Sequence, residues 1–228
     1  MSRLTIATVA TDAPMGAQVY EAEVSAGASR ALAGSGRDWT VHPFVARSLR
    51  SPLRGTARLP MGLLERRGRA FRASVGRAVY PRGSVVHRMS LSLPPAPRDV
   101  VTLHDVVAWR FPDEGTPIAA APEELREAAA VVCVSQHTAA DAVEMFGIRA
   151  PHVIHPGVDA RFHHAVPLSV EQRESLGLHG PNVLHAGGAS LRKNLEALAD
   201  ACGHVVAKVA DRTLETSGPP HQRRTARF

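Results

Sequence analysis

V-L-H-A-G-G-A-S-L-R-K-N-L-E-A-L, residues 183–198, reads as a strand, a turn and a helix in one short run. Val183–Ala186 is an apolar strand, Gly187 and Gly188 make the turn, and a helix is expected behind Ser190 with Arg192, Lys193 and Asn194 in its first turn. A helix start leaves backbone N–H groups without intrahelical partners and carries the positive end of the peptide dipoles. Glycines let that backbone approach a bound group, and Lys193 adds a mobile point charge, so the pattern suits an anion such as a phosphate. An ordinary βα turn with solvated basic residues has the same spelling, and at this level both readings stand.

Outward from this unit, apolar runs alternate with helical segments along the chain, which predicts an α/β fold with a parallel sheet. Leu4–Ala10 reads as the first strand, Gly16 as part of the loop after it, and Gln18–Ala33 as a helix ending at Gly34. Trp39–Val45 is a second strand, in which Pro43 favours an edge or a strand end. Ser84–Met89 and Asp99–Leu103 follow as strands, then a loop at Ala108–Thr116 and a helix at Pro122–Ala130. Val131–Val134 is a strand, Ser135 the cap of a helix Gln136–Phe146, and Gly147 its stop. His152–His155, a linker at Ala160–Pro167 and a short helix at Ser169–Leu176 lead back to the opening stretch.

His104 and Asp105 close the strand Asp99–Leu103, at the carboxyl end where open α/β sheets bind their ligands. His104 is therefore a candidate acid/base or substrate contact, with Asp105 orienting it or bonding a hydroxyl. The plainer alternative has Asp105 capping the next segment and His104 buried and satisfied.

The composition narrows the class. The chain has 228 residues, is 44% hydrophobic and 21% charged, and carries a net charge of +6, as a globular protein with room for one core and part of another does. All but two of the 27 basic residues are arginine, the exceptions being Lys193 and Lys208, a bias that looks like GC-rich coding as much as selection for charge. Aromatics make up 4%, too few for a base-stacking platform, and no nucleic-acid reading motif is present. Residues 47–77 hold nine arginines against the single acid Glu65, with leucines and Phe71 interspersed. Roughly Met61–Val79 suits an amphipathic helix with a basic face, either solvated or docked on an anionic membrane or a phosphorylated acceptor.

Two distant cysteines, Cys133 and Cys202, make neither a disulfide framework nor a zinc pattern. His152, His155, His163 and His164 lack a converging acid, so no metal site is expected. Ser135 as an N-cap leaves no support for a Ser135/His104/Asp105 triad. No apolar run is long enough for a signal-peptide core or a membrane span, which makes a cytoplasmic protein the expectation.

Several segments together resemble the GT4-type glycosyltransferases of GT-B fold, and among them the mannosyltransferase-like members. They are the Gly16 loop, V-V-H-R-M-S-L-S-L-P-P (85–95), V-V-T-L-H-D (100–105), A-A-A-V-V-C-V-S-Q-H-T-A-A-D-A-V-E-M-F-G-I (128–148), V-I-H-P-G-V-D-A-R-F (153–162) and the opening stretch. The likeness covers about residues 1–203. It implies a Rossmann-like N-terminal domain over 1–160 that binds the acceptor, a linker and short helix over 161–180, and the start of a donor-binding domain at 181–203. It also implies sugar transfer from a nucleoside-diphosphate sugar with retention of configuration, with no cofactor and no metal, onto a glycan or lipid acceptor. By the same resemblance Gly16, Gly187, Gly188, Arg192 and Lys193 meet the donor, and His104 with Asp105 lies at the acceptor side. Independently of the resemblance, the basic stretch at 47–77 has two readings, a solvated face, which is the plainer, and a peripheral contact with the inner face of a membrane; nucleic acid is not an expected partner.

Two departures from the family pattern stand out. Gly188 replaces the basic or hydroxyl residue many relatives carry after the first glycine. The two glutamates that relatives space by seven residues near the donor sugar have no counterpart at that spacing. After Cys202 the pattern is expected to stop, leaving 204–228 as an aberrant or disordered tail of the kind a frameshift generates. The fold expected is thus one Rossmann-like domain plus the first βα unit of an incomplete second, poorly stabilised from about residue 165. A non-catalytic acceptor-domain remnant and, last, a basic nucleic-acid binder are the competing readings.

Overall fold

The computed structural model describes residues 2–178, 182–188, 190–206 and 213–217. These fall into two units: Met1–Arg110 with Thr116–Gly157, and Phe111–Gly115 with Val158–Phe228.

The first unit is built on seven strands in the order β3-β2-β1-β4-β5-β6-β7, every neighbouring pair parallel. In chain order its elements begin with β1 (Ser2–Val9), α1 (Gly16–Ala33), β2 (Trp39–Ser48), β3 (Ala57–Leu59), α2 (Met61–Arg66) and α3 (Arg69–Val79). β4 (Val85–Arg88), β5 (Asp99–Leu103), α4 (Val107–Arg110), α5 (Ala121–Glu127), β6 (Ala130–Cys133), α6 (Gln136–Phe146) and β7 (His152–Val153) complete it. The β-branched residues of β1, β4 and β5 fit strands covered by helices, which is how parallel sheets are built. The expected α/β, Rossmann-like sheet is present.

Several expectations shift. Gly16 is the first residue of α1 instead of part of the loop before it. Pro43 sits inside β2, but β3 pairs only with Ala46–Ser48, so the flank that lacks an N–H faces no neighbour. The helix expected over Met61–Val79 breaks at Arg67 and Gly68 into α2 and α3. The loop expected at Ala108–Thr116 contains α4 and a 3₁₀ turn at Pro112–Glu114. Ser135 caps α6 as read, its Oγ accepting from the Thr138 N–H at 3.0 Å, and Gly147 ends the helix at φ +66°.

Two apolar clusters fill the first unit. One joins Val101, Leu103, Val131 and Cys133 of the sheet to Leu125 of α5 and Phe146 of α6. The other joins Ala7, Phe44 and Val86 to Leu64, Tyr80 and Leu93. Beside them lies a fully buried ionic group. Arg72 bonds Glu124 and the carbonyls of Leu64, Leu91 and Leu93, while Arg88 bonds Asp99, Glu124 and the Leu93 carbonyl. Each charge has an opposite partner and most of the guanidinium donors meet carboxylates or carbonyls, the condition under which buried ions are tolerated.

The second unit carries α7 (Ala160–His163), α8 (Val170–Ser175), β8 (Asn182–Ala186), α9 (Leu195–Val206) and β9 (Thr213–Ser217). The linker expected at Ala160–Pro167 thus holds a helical turn, capped by Asp159. The regular pattern also outlasts Cys202: α9 runs to Val206, and β9 pairs parallel with β8 from Asn182–Thr213 to Ala186–Ser217. The opening stretch is therefore part of a βαβ unit, not a lone βα, and residues 213–217 belong to it instead of to a tail. Residues 218–228 lie outside the described residues. Val183 and Leu184 of β8 are 48% and 64% exposed, an apolar strand with little covering it.

Candidate functional site

Strand order in the first unit reverses between β1 and β4, and at that point loops from the two halves diverge and leave a crevice. A cavity of about 240 Å³ occupies it. α1, entered directly from β1, gives Ala17, Gln18 and Glu21; the turn after β4 gives Ser90 and Ser92; the end of β5 gives His104 and Asp105. The start of α1 faces this crevice without an acid in its first turn. Its N-cap backbone is tied locally, the Met15 N–H donating to Gln18 Oε1 at 3.0 Å.

His104 is half-buried. Tyr20 meets its ring edge-on at 5.3 Å between centroids. The His104 Nε2 is buried with no hydrogen-bond partner among the described residues. Burial holds the imidazole below its ordinary pKa; the Asp105 charge and the Met89 carbonyl oppose that only in part. Burial thus favours the neutral form of this imidazole at the carboxyl end of a central strand. Thr138 Oγ1 donates to the His104 carbonyl at 3.2 Å and shares a 3.0 Å contact with Ser135 Oγ, so the start of α6 anchors the His104 backbone. Ser135 is thereby used as a cap, not as a nucleophile.

Asp105 divides from His104 in role. Its Oδ1 accepts the Val107 N–H at 3.1 Å and begins α4. The plain alternative holds for the aspartate and fails for the histidine, whose Nε2 is left unsatisfied.

Glu21 was not singled out from the sequence. It is the one buried residue of α1, 5% exposed, and it has no partner among the described residues. Burial alone raises its carboxyl to about 7. Its side chain also lines a second, wider groove of about 710 Å³ between α1 and the end of β2, where Arg54 is the nearest cation. The signal was the spacing of Ala17, Gln18 and Glu21, which puts all three on one helix face, but a glutamate near a helix start reads first as a dipole partner.

The second unit presents the glycine turn. Gly187 follows β8, and a Cβ there would stand 3.3 Å from the His185 ring; at Gly188 it would meet nothing within 4 Å. The helix does not start behind Ser190 as expected. Leu191–Lys193 form a 3₁₀ turn, Asn194 takes the left-handed conformation at φ +48°, and α9 begins at Leu195. Leu195, the first residue of α9, is 2% exposed. Arg192 is not open as expected: its Nε pairs with Glu114 Oε1 at 2.6 Å, and the Leu191 N–H donates to Asp113 Oδ2 at 2.9 Å. Lys193 stays exposed, with no ion pair among the described residues.

The model of the Glycosyltransferase Family 4 matches residues 22–162, more than half of the chain. The chain belongs to this glycosyltransferase family. A comparison with curated proteins finds none that matches. The matched span takes in His104, Asp105 and most of the seven-stranded sheet of the glycosyltransferase, while Gly16, Glu21 and the turn at 187–193 lie outside it.

Elsewhere the glycosyltransferase spends its arginines variously. Of the stretch 47–77, Arg72 is wholly buried, Arg69 pairs with Glu127, and Arg47 and Arg58 donate to the carbonyls of Ser51 and Leu49. The stretch is thus neither a uniformly solvated face nor a uniform basic patch. Arg50, Arg54, Arg66 and Arg77 remain exposed, near Leu49, Leu63 and Phe71, which are 53%, 41% and 41% exposed. Among the described residues no three His, Cys, Asp or Glu side chains converge as a metal site, and His152, His155, His163 and His164 are all exposed. Cys133 is buried with its thiol pushed up to about 11, an inert core residue. No helix among the described residues is long and apolar enough to cross a membrane.

Proposed function

We propose that this family 4 glycosyltransferase moves a hexosyl group, mannosyl by its sequence resemblance, from a nucleoside-diphosphate sugar to a hydroxyl of a glycan or lipid, with retention of configuration and without a metal. The observation that carries the reading is the switch-point cavity at the carboxyl end of β5, lined by His104, Asp105, Gln18 and Glu21. In such a reaction the bond from the anomeric carbon to the diphosphate breaks, with the electron pair leaving on phosphate oxygen. The acceptor oxygen bonds that carbon from the same face, and its proton passes to the departing phosphate.

His104 in this reading holds the reacting sugar or acceptor hydroxyl as a hydrogen-bond acceptor, and Gly16 lets the start of α1 come close to the donor. A Cβ at position 16 would meet nothing within 4 Å, so the start of α1 is open there. Developing negative charge on the diphosphate needs cations and N–H groups where no metal is present, the role given to Gly187, Gly188 and Lys193. Arg192 joins them only by exchanging Glu114 for phosphate. Asp105 supports the site by starting α4 beside His104. We place the protein in the cytoplasm, peripheral at the inner membrane face through exposed Leu49, Leu63 and Phe71 and their neighbouring arginines.

Calorimetric titration with UDP, GDP and their sugar conjugates, followed by transfer assays, tests this. One nucleotide series should bind, with Lys193→Ala weakening it at least about tenfold, the loss of one charge-assisted contact. His104→Ala should abolish transfer while leaving nucleotide binding in place. Absence of binding by every nucleotide overturns the donor assignment.

A further inference from the structure

Glu21 is the buried ionisable group for which neither the fold nor the proposed chemistry has a use. Other buried charges of the first unit are matched: Arg72 and Arg88 against Glu124 and Asp99, and Asp141 against Arg110. Glu21 has no such match. Yet it stands between two cavities, on the wall of the one that holds His104 and on the wall of the wider groove beside β2. A carboxylate buried without a partner destabilises a fold, so its place on the wall of a cavity points to a ligand that supplies the partner.

The remaining lining says which ligand. Beside Glu21, the His104 cavity is lined by hydroxyl and amide side chains, Gln18, Ser90, Ser92 and Thr116, and by the carboxylate of Asp105. It contains no lysine or arginine. Two acids and no cation disfavour a phosphate or carboxylate, whereas a group of hydroxyls and an amide suit a neutral molecule rich in O–H donors. Met89, Leu91 and Trp109 supply apolar surface on which the C–H face of a sugar ring can lie. The volume, about 240 Å³, is below the ~300–1,000 Å³ of clefts for drug-sized ligands and suits a single sugar ring.

We propose that Glu21 is the acceptor-recognition residue of this cavity, accepting a hydrogen bond from a hydroxyl of a single neutral sugar or polyol unit and discriminating against phosphorylated ones. This rests on the glycosyltransferase reading for the word acceptor, but the binding it describes does not. The titratable and charged groups around Glu21 are His104 and Asp105 in the smaller cavity and Arg54 in the groove. A carboxyl raised to about 7 by burial is returned to its ionised form by such a hydroxyl bond, so ligand affinity rises with pH through that value.

The test is an amide-shift titration of the isotope-labelled 228-residue chain with methyl α-mannopyranoside, methyl α-glucopyranoside and mannitol, and with the phosphate monoesters of the same two sugars. Shifts are expected at Gln18 and Ser90–Ser92 for at least one neutral probe. Glu21→Ala should weaken that binding about ten- to a hundredfold, the weight of a hydrogen bond to a charged group, with Glu21→Gln intermediate. Thermal unfolding separates this from misfolding, because both variants should melt above the wild type once the unpaired charge is gone. Neutral probes that leave these amides unmoved, that bind Glu21→Ala as well as wild type, or that bind less tightly than their phosphate esters, overturn the proposal. Transfer assays keep the two readings apart. Lys193-dependent transfer whose acceptor KM ignores Glu21→Gln keeps the enzyme and removes Glu21. Glu21-dependent sugar binding by a chain that transfers nothing keeps Glu21 and removes the donor assignment.

Discussion

Arg72 and Glu124, 52 residues apart in sequence, form a two-point ion pair, Nε to Oε1 at 2.5 Å and Nη2 to Oε2 at 3.2 Å, with both side chains closed to solvent. Arg88 reaches the same carboxylate at 3.0 Å, so one glutamate of α5 ties α3 to β4 beneath the sheet. Removing the glutamate leaves the Arg72 guanidinium in the core without an acid and takes from Arg88 one of its two carboxylates, Asp99 remaining. Glu124→Ala is expected to cost about 3–5 kcal/mol, the size seen when one partner of a buried pair is removed. Urea unfolding followed by circular dichroism measures it; a loss under about 1 kcal/mol would show that water enters and replaces the carboxylate.

Gly76 sits on α3 where the chain after β4 crosses it. A Cβ there would stand 1.8 Å from the Pro95 carbonyl oxygen, a backbone atom that cannot swing aside. Gly76→Ala is therefore expected to destabilise by about 1–3 kcal/mol or more despite alanine's better helix propensity. Gly62→Ala, in α2 with nothing within 4 Å of the new methyl, should instead gain about 0.5–1 kcal/mol. Melting temperatures moving in opposite directions check the pair; two shifts of the same sign refute it.

Acid acts on this fold through groups of opposite sense. His87 is lowered to about 4 by burial, its Nε2 on Thr102 Oγ1 at 2.8 Å, so it stays neutral in the folded chain while the unfolded chain protonates near 6.5. Stability from this group is present above 6.5 and is lost as pH falls towards 4; His104, also lowered, adds to that loss. Glu21 works the other way: raised from 4.5 to about 7, it penalises the folded state above 7 and ceases to do so as pH falls to 4.5. Wild-type stability should be nearly flat between pH 7 and 5. Glu21→Gln should be the more stable by about 1–2 kcal/mol at pH 8 and should lose that advantage on acidification. Denaturation midpoints at pH 5, 6, 7 and 8 decide it, and parallel profiles for the two proteins would contradict the sign.

Ser135 closes the start of α6 and, through Thr138, holds the backbone of His104. Ser135→Ala should cost about 1 kcal/mol as a lost N-cap. It should leave nucleotide affinity unchanged while lowering the acceptor-dependent rate a few-fold, because it loosens the His104 carbonyl rather than removing a contact with ligand. A variant stable within error of wild type would show that Thr138 caps the helix by itself.

Regular elements were legible where neighbours in sequence are also the physical cause. β5 and α6 carry the boundaries read from the chain, since a β-branched run flanked by turns and a Ser135 cap answered by Gly147 are local devices. α2 and α3 were merged because periodicity continues through Arg67 and Gly68, and only packing of Leu64 and Tyr80 against the sheet breaks the axis there. The start of α9 was misplaced as well. Asn194 is one of the few residue types that readily takes the left-handed conformation, and it does so here one residue before α9.

At the site, His104 was legible from its place at the end of an apolar strand, and Lys193 from a glycine turn. Glu21 was not, nor was the loss of Arg192 to Glu114, because each depends on groups that no spacing rule brings together. The sequence by itself determined the alternation of strands and helices, the parallel sheet and hence a crevice at the carboxyl ends of its central strands, since these follow from local propensity and right-handed connection. Tertiary structure alone decided which charges are spent inside: Arg72 and Arg88 with Glu124 and Asp99, Arg192 with Glu114, and Glu21 with nothing. The fate of a charge depends on desolvation and on partners scores of residues away, and those are properties of the folded arrangement rather than of any stretch of chain.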